Sequence, residues 1–174
     1  MPRSAILLAN ALLLLFVAPV AAGTLGDLAE DGGFVDARLG DPVESFIGLQ
    51  RIGFDPEART ETYIRNSDTF TVGSNRVDSV TYSFYDGRLY FISIQMTGRE
   101  NAESVLSELK STYGDGIETG NRPNERIWTS GNVFVVYDLD PETGRGMTAM
   151  TSAPIHARMR MERNAVPARI DYGF

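Results

Sequence analysis

Hydrophobic and polar positions alternate most regularly between Val77 and Met96. Two runs, Val77 to Phe84 and Leu89 to Met96, flank the dipeptide Asp86-Gly87. Asp-Gly accepts the positive φ angles of a type I′ turn, so this stretch predicts a tight β-hairpin. Pairing across a two-residue loop sets Phe84 opposite Leu89, Tyr82 opposite Phe91 and Val80 opposite Ser93. It assigns Val80, Tyr82, Phe84, Leu89 and Phe91 to the core face. Ser79, Thr81, Ser83, Tyr85, Tyr90, Ile92 and Ile94 then share a half-polar second face. Beyond Gly98 the period changes. Ala102, Val105, Leu106, Leu109 and Tyr113 form the stripe of an amphipathic helix over about 100–113. Gly114 supplies its left-handed stop. Thr97 and Glu100 have capping-box spacing, with Asn101 as an alternative cap.

Weaker patterns fill the rest. Asp41-Pro42-Val43-Glu44 predicts a short helix, capped by Asp41 with Pro42 at its first position. It would turn Phe46, Ile47 and Leu49 inward and stop at Gly53 and Pro56. Thr60 to Arg65 and Thr69 to Val72 read as strands, and Gly116 to Asn124 as a loop. Arg126 to Trp128, a turn at Ser130-Gly131-Asn132, and Val133 to Leu139 follow. Asp140 to Gly144 then turns the chain into Met147 to Ser152. Pro154 to Arg163 alternates strictly: Ile155, Ala157, Met159 and Met161 against His156, Arg158, Arg160 and Glu162. That alternation favours a strand, although Pro154 would also suit a first helical turn. The sum is an α+β fold: an antiparallel sheet of about five to seven strands with one firm helix packed on a face. Val80-Thr81-Tyr82 before Asp86-Gly87-Arg88 parallels Val135-Val136-Tyr137 before Gly144-Arg145-Gly146, suggesting a weak two-fold ββ repeat.

The chain begins with a segment of another kind. Residues 1–22 hold one charge, Arg3, then an apolar block, then Pro19 and the small residues Val20-Ala21-Ala22. This is the pattern of a cleavable secretory signal, with the cut between Ala22 and Gly23. Nothing polar lines one face from Ala11 to Ala18, which argues against a core helix. Pro19 and the small-residue end argue against a retained anchor. Residues 23–40, rich in Gly and Asp, read as a flexible lead-in, 41–163 as a single α+β domain, and 164–174 as a C-terminal tail. The mature 152 residues suit one domain, which at this size buries about 70% of its unfolded surface.

Cysteine is absent, which excludes disulfides, thiol catalysis, Cys-ligated zinc and a bacterial lipid anchor. The net charge of −7 becomes −8 once Arg3 leaves with the signal. Such a surface repels phosphate backbones, so nucleic acid is not an expected partner.

The chemistry-bearing groups are few. Asp138, Asp140 and Glu142 begin like a calcium loop, but Thr143 stands where Gly is needed and Ala149 where the bidentate Glu is needed. An acidic turn is the better reading, and no metal or cofactor is implied. His156 is the single histidine. No G-x-S-x-G elbow accompanies it; Ser130 precedes Gly131 without a Gly two residues earlier. His156, Arg158 and Arg160 on one strand face would make an anion- or partner-binding surface. No carboxylate pair stands out for glycoside chemistry, and Tyr82, Phe84, Phe91 and Trp128 suit a core better than a pocket. Val166, Ala168, Ile170, Tyr172 and the terminal Phe174 alternate. Those nine residues resemble the last strand of outer-membrane β-barrels, although Pro167 lies among them and the helix over 100–113 has no place in a barrel wall.

These features point to an exported, soluble, non-enzymatic envelope protein, periplasmic or secreted, that binds a small ligand or another envelope protein. An acid/base hydrolase using Asp or Glu with His156 is the second expectation. Outer-membrane association through the C-terminal alternating segment is the third.

Overall fold

The computed structural model describes residues 32–34, 36–65, 71–72, 75–120, 122 and 124–165. The signal segment, the Ala22–Gly23 cut and the alternating segment from 166 to 174 lie outside the described residues.

Among the described residues, twelve strands and two α-helices follow one another. They are β1 (Gly33–Phe34), β2 (Ala37–Arg38), β3 (Leu49–Asp55), β4 (Thr60–Arg65), β5 (Thr71–Val72), β6 (Asn75–Arg76), β7 (Ser79–Tyr85) and β8 (Arg88–Thr97). After helix α1 (Arg99–Tyr113) come β9 (Ile117–Glu118), β10 (Arg126–Ser130), β11 (Val133–Leu139), β12 (Arg145–Ser152) and helix α2 (Ala153–Ala165). Eight strands build one antiparallel sheet in the order β3-β4-β7-β8-β12-β11-β10-β9. The predicted α+β class holds, with a sheet one strand wider than the widest expectation. It consists of two four-stranded meanders joined where β8 pairs with β12.

The β7–β8 hairpin forms as predicted. Asp86 and Gly87 both take positive φ, 49° and 70°, as a type I′ turn requires. Its register differs from the simple one. Phe84 pairs with Leu89, but Ser83 pairs with Phe91, Tyr82 with Ile92 and Val80 with Ile94. Tyr90 is thus an extra residue on β8, a β-bulge. Side chains alternate with period two, so one extra residue moves everything beyond it to the opposite face. Ile92, Ile94 and Met96 are therefore buried in the core with Val80, Tyr82 and Phe84. Phe91, assigned to the core by the unbulged register, points to the other face.

Helix α1 covers the core face. Ala102, Val105 and Leu109 are fully buried, and the Tyr137 hydroxyl donates to the Ala102 carbonyl at 3.0 Å. Close approach depends on Gly146 in β12. A Cβ there would stand 2.8 Å from the Ala102 Cβ and 2.9 Å from the Met96 Cγ, too tight for any side chain. Gly114 ends the helix at φ 81° as expected. The capping box does not form: Gly98 is the N-cap, and Asn101 Nδ2 donates to the Arg76 carbonyl of β6 at 2.8 Å.

Three expectations are corrected. The helix after Asp41 is a single 3-10 turn over Val43–Ser45 without a side-chain cap. The Asp41 carboxylate instead accepts from the Arg38 amide at 3.1 Å. Gly48, at φ 76°, ends any helical continuation, and Leu49 onward becomes edge strand β3. Phe46 does turn inward, edge-on to Phe84 at 5.3 Å, whereas Ile47 is 90% exposed. Of the lead-in over 23–40, only 32–34 and 36–40 are described, which leaves that expectation untested; Phe34 and Ala37 are buried in the core. The loop after Gly116 contains the outermost strand, β9. Pro154 to Arg163 is helix, extending through Ala165, not strand. Proline in the first turn is pre-set for helix, and the Ala, Met, Arg and Glu that follow are good helix formers. The alternation there coincides with a helical stripe of half-buried Ile155, Met159 and Glu162.

Candidate functional site

Helix α2 lies on the sheet face opposite α1, and a cleft opens between it and the strands. Its floor is one cross-strand row. Ser83 pairs with Phe91, Phe91 with Thr151 and Thr151 with Phe134, so these four side chains share a face. Phe91 belongs to that row because of the bulge at Tyr90. The wall is a stripe of α2 at i, i+3, i+4 and i+7: Ala153, His156, Ala157 and Arg160. Tyr90 and Met159 also line it, and the volume is about 670 Å³. A smaller depression of about 280 Å³, towards Arg59 and Glu162, shares Tyr90 and Met159 with it. Burial raises the Tyr90 hydroxyl above the usual phenol range. Its ring leans on Phe91 with centroids 6.2 Å apart.

Polar contacts fasten the C-terminal half of α2 to the sheet. The Tyr85 hydroxyl donates to the Glu162 carboxylate at 2.6 Å. Arg59 donates to Glu162, to the Tyr85 oxygen and to Asp86. Arg158 reaches Asp86 at 3.4 Å and Glu162 at 3.5 Å. The guanidinium groups of Arg59 and Arg158 lie 4.9 and 5.1 Å from the Tyr85 ring centre. The Tyr85 hydrogen bond is the main cause that holds Glu162 below the ordinary carboxylate range; Arg59 and Arg158 add to it. At the other end the Ala153 amide donates to the Asn132 carbonyl at 2.8 Å. The helix is thus tied at both ends, with the cleft alongside.

The helical geometry divides the three residues expected to share a face. Positions four apart meet on a helix, and a position two away points elsewhere. His156 and Arg160 therefore line the cleft, whereas Arg158 belongs to the fastening cluster. Neither His156 nor Arg160 makes a side-chain hydrogen bond or ion pair among the described residues. No Asp or Glu lines the cleft among those residues. The arrangement can enclose an apolar body against Phe91, Phe134, Tyr90 and Met159. It can also donate hydrogen bonds from His156, Arg160 and the Ser83 and Thr151 hydroxyls.

Of the other candidates, Asp140 is a turn residue. Its carboxylate accepts from the Glu142 amide at 2.9 Å, the Thr143 amide at 3.3 Å and the Thr143 hydroxyl at 2.6 Å. The hydroxyl is the main cause that lowers its pKa. Asp138 instead pairs with Arg122 at 2.7 Å. No group of three His, Cys, Asp or Glu residues placed to hold a metal ion occurs among the described residues. Tyr82, Phe84 and Trp128, expected in the core, are all buried there. Phe91 and Phe134 carried no signal in the sequence that separated them from core residues.

No family model matches this chain, and comparisons with curated proteins and with solved structures give no match either.

Proposed function

We propose that this chain is an exported, non-enzymatic envelope protein that binds a small ligand with an apolar body in the cleft under α2. The carrying observation is the make-up of that cleft. Its volume of about 670 Å³ falls within the range usual for small-molecule sites, about 300–1,000 Å³. Aromatic and aliphatic side chains form most of its surface, with a few hydrogen-bond donors among them, as such sites require. Export is supported by the apolar segment of residues 1–22 with its small-residue end. Among the described residues no helix is long and apolar enough to cross a membrane. An acid/base reaction would need a carboxylate beside His156, and the cleft wall around His156 favours binding over that alternative.

The test is fluorescence titration with phenylnaphthylamine, a neutral apolar dye. Ala157→Trp fills the cleft from an exposed helical position. It is expected to weaken dye binding roughly tenfold or more by loss of contact area, with the thermal midpoint little changed. Absence of dye binding, or binding that Ala157→Trp leaves intact, would overturn the assignment.

A further inference from the structure

We infer that the cleft selects an amphiphile with a single apolar chain and an anionic end group of the carboxylate class, held by Arg160 and His156. This rests on the cleft being the binding site. The remaining argument is charge. Of the other arginines of α2, Arg158 is engaged by Asp86 and Glu162, and Arg163 lines the smaller depression rather than this cleft. Arg160 and His156, one helical turn apart, line the cleft and have no partner among the described residues. A guanidinium beside an apolar surface presents a planar fork that matches a carboxylate, and it remains charged at ordinary pH. His156 offers an N–H to the same end group in either protonation state. The negative charges nearest on α2 do not compete, since Glu162 is taken up by Tyr85, Arg59 and Arg158. The acidic net charge of the chain is screened beyond about 8 Å at physiological ionic strength. The choice at the end group therefore falls to the groups that touch it. A cationic head would meet two donors and no acceptor carboxylate. An anionic one completes two charge-assisted or polar hydrogen bonds while its chain covers Phe91 and Phe134.

Calorimetric titration with decanoate and with decyltrimethylammonium, both kept monomeric, separates the end groups on equal chains. Decanoate is expected to bind roughly tenfold tighter or more, the scale of one charge-assisted hydrogen bond. Arg160→Gln, an exposed substitution, is expected to remove that preference. Arg99→Gln, which removes an equal charge at the start of α1, is expected to keep it. Equal binding of the two amphiphiles, or a preference that survives Arg160→Gln, would overturn the inference and leave the cleft assignment standing. Binding to phosphatidylglycerol vesicles without binding of monomeric decanoate would likewise overturn it, pointing to a membrane surface as the source of the anion. Loss of dye binding in the unmodified protein would strike the cleft assignment itself.

Discussion

Tyr90 shows how much one residue decides. Its insertion in β8 sends Ile92, Ile94 and Met96 into the core and Phe91 to the cleft floor. A bulge leaves no mark in the alternation itself, because Phe91, Ile92 and Ile94 are all apolar and either register looks plausible from the sequence. Tyr137 carries a different residue-scale consequence. It is fully buried, and burial, with Glu103 and Asp138 adding their negative charge, raises its pKa to about 12. An unfolded tyrosine titrates near 10. The folded state thus binds this proton more tightly than the unfolded chain. Its contribution is complete below about pH 10 and is lost as pH rises through about 12. Urea unfolding should show about 2 kcal/mol less alkaline loss between about pH 9 and 11.5 in Tyr137→Phe than in the unmodified chain. Equal losses would mean that another group governs the alkaline limit.

At the scale of elements, the two helices differ in how far the sequence reveals them. Helix α1 has a long apolar stripe and a Gly stop, and the structure follows both to within a residue. Helix α2 has alternation that fits a strand over a short run, and its fastening partners lie far away; Tyr85 and Glu162 are 77 positions apart. Pro154 and the helix formers after it allowed a helix, but no local pattern could announce that contact, so neither the choice of helix over strand nor the division of His156 and Arg160 from Arg158 was legible. The contact gives α2 a pH dependence. Glu162 has a lowered pKa, so the stabilisation it brings is present above the unfolded carboxylate range and lost as pH falls through its folded value. Tyr85→Phe removes the hydroxyl that is the main cause of the shift. Amide hydrogen exchange over 157–163 is expected to accelerate several-fold in Tyr85→Phe at neutral pH, and in the unmodified chain on acidification, while β7 and β8 stay protected. Uniform acceleration across the sheet would show instead that α2 and the strands open together.

Over the whole molecule, the sheet is two meanders set side by side, and the matched triplets Val80-Thr81-Tyr82 and Val135-Val136-Tyr137 fall on β7 and β11, each next to the joining strand of its half. Tyr82 and Tyr137 are both fully buried on the core face. The correspondence ends at the helices, since α1 and α2 lie on opposite faces. Beneath α1, Ala102, Val105 and Leu109 are fully buried against the core, and the face beneath α2 keeps the cleft. Export would bring that cleft into the envelope, and N-terminal sequencing of the secreted chain is expected to begin at Gly23; a retained Met1 would show an anchored protein instead.

The α+β class, the β7–β8 turn, the hairpin around Gly131 and helix α1 are readable along the chain alone. Each rests on turn chemistry or periodicity spanning a few neighbouring residues. The face of Phe91, the choice of helix over strand for 153–165, the pairing of β8 with β12 and the cleft they enclose are settled by the folded molecule. Those outcomes depend on contacts between residues distant in the chain, whose free energies a local pattern does not contain.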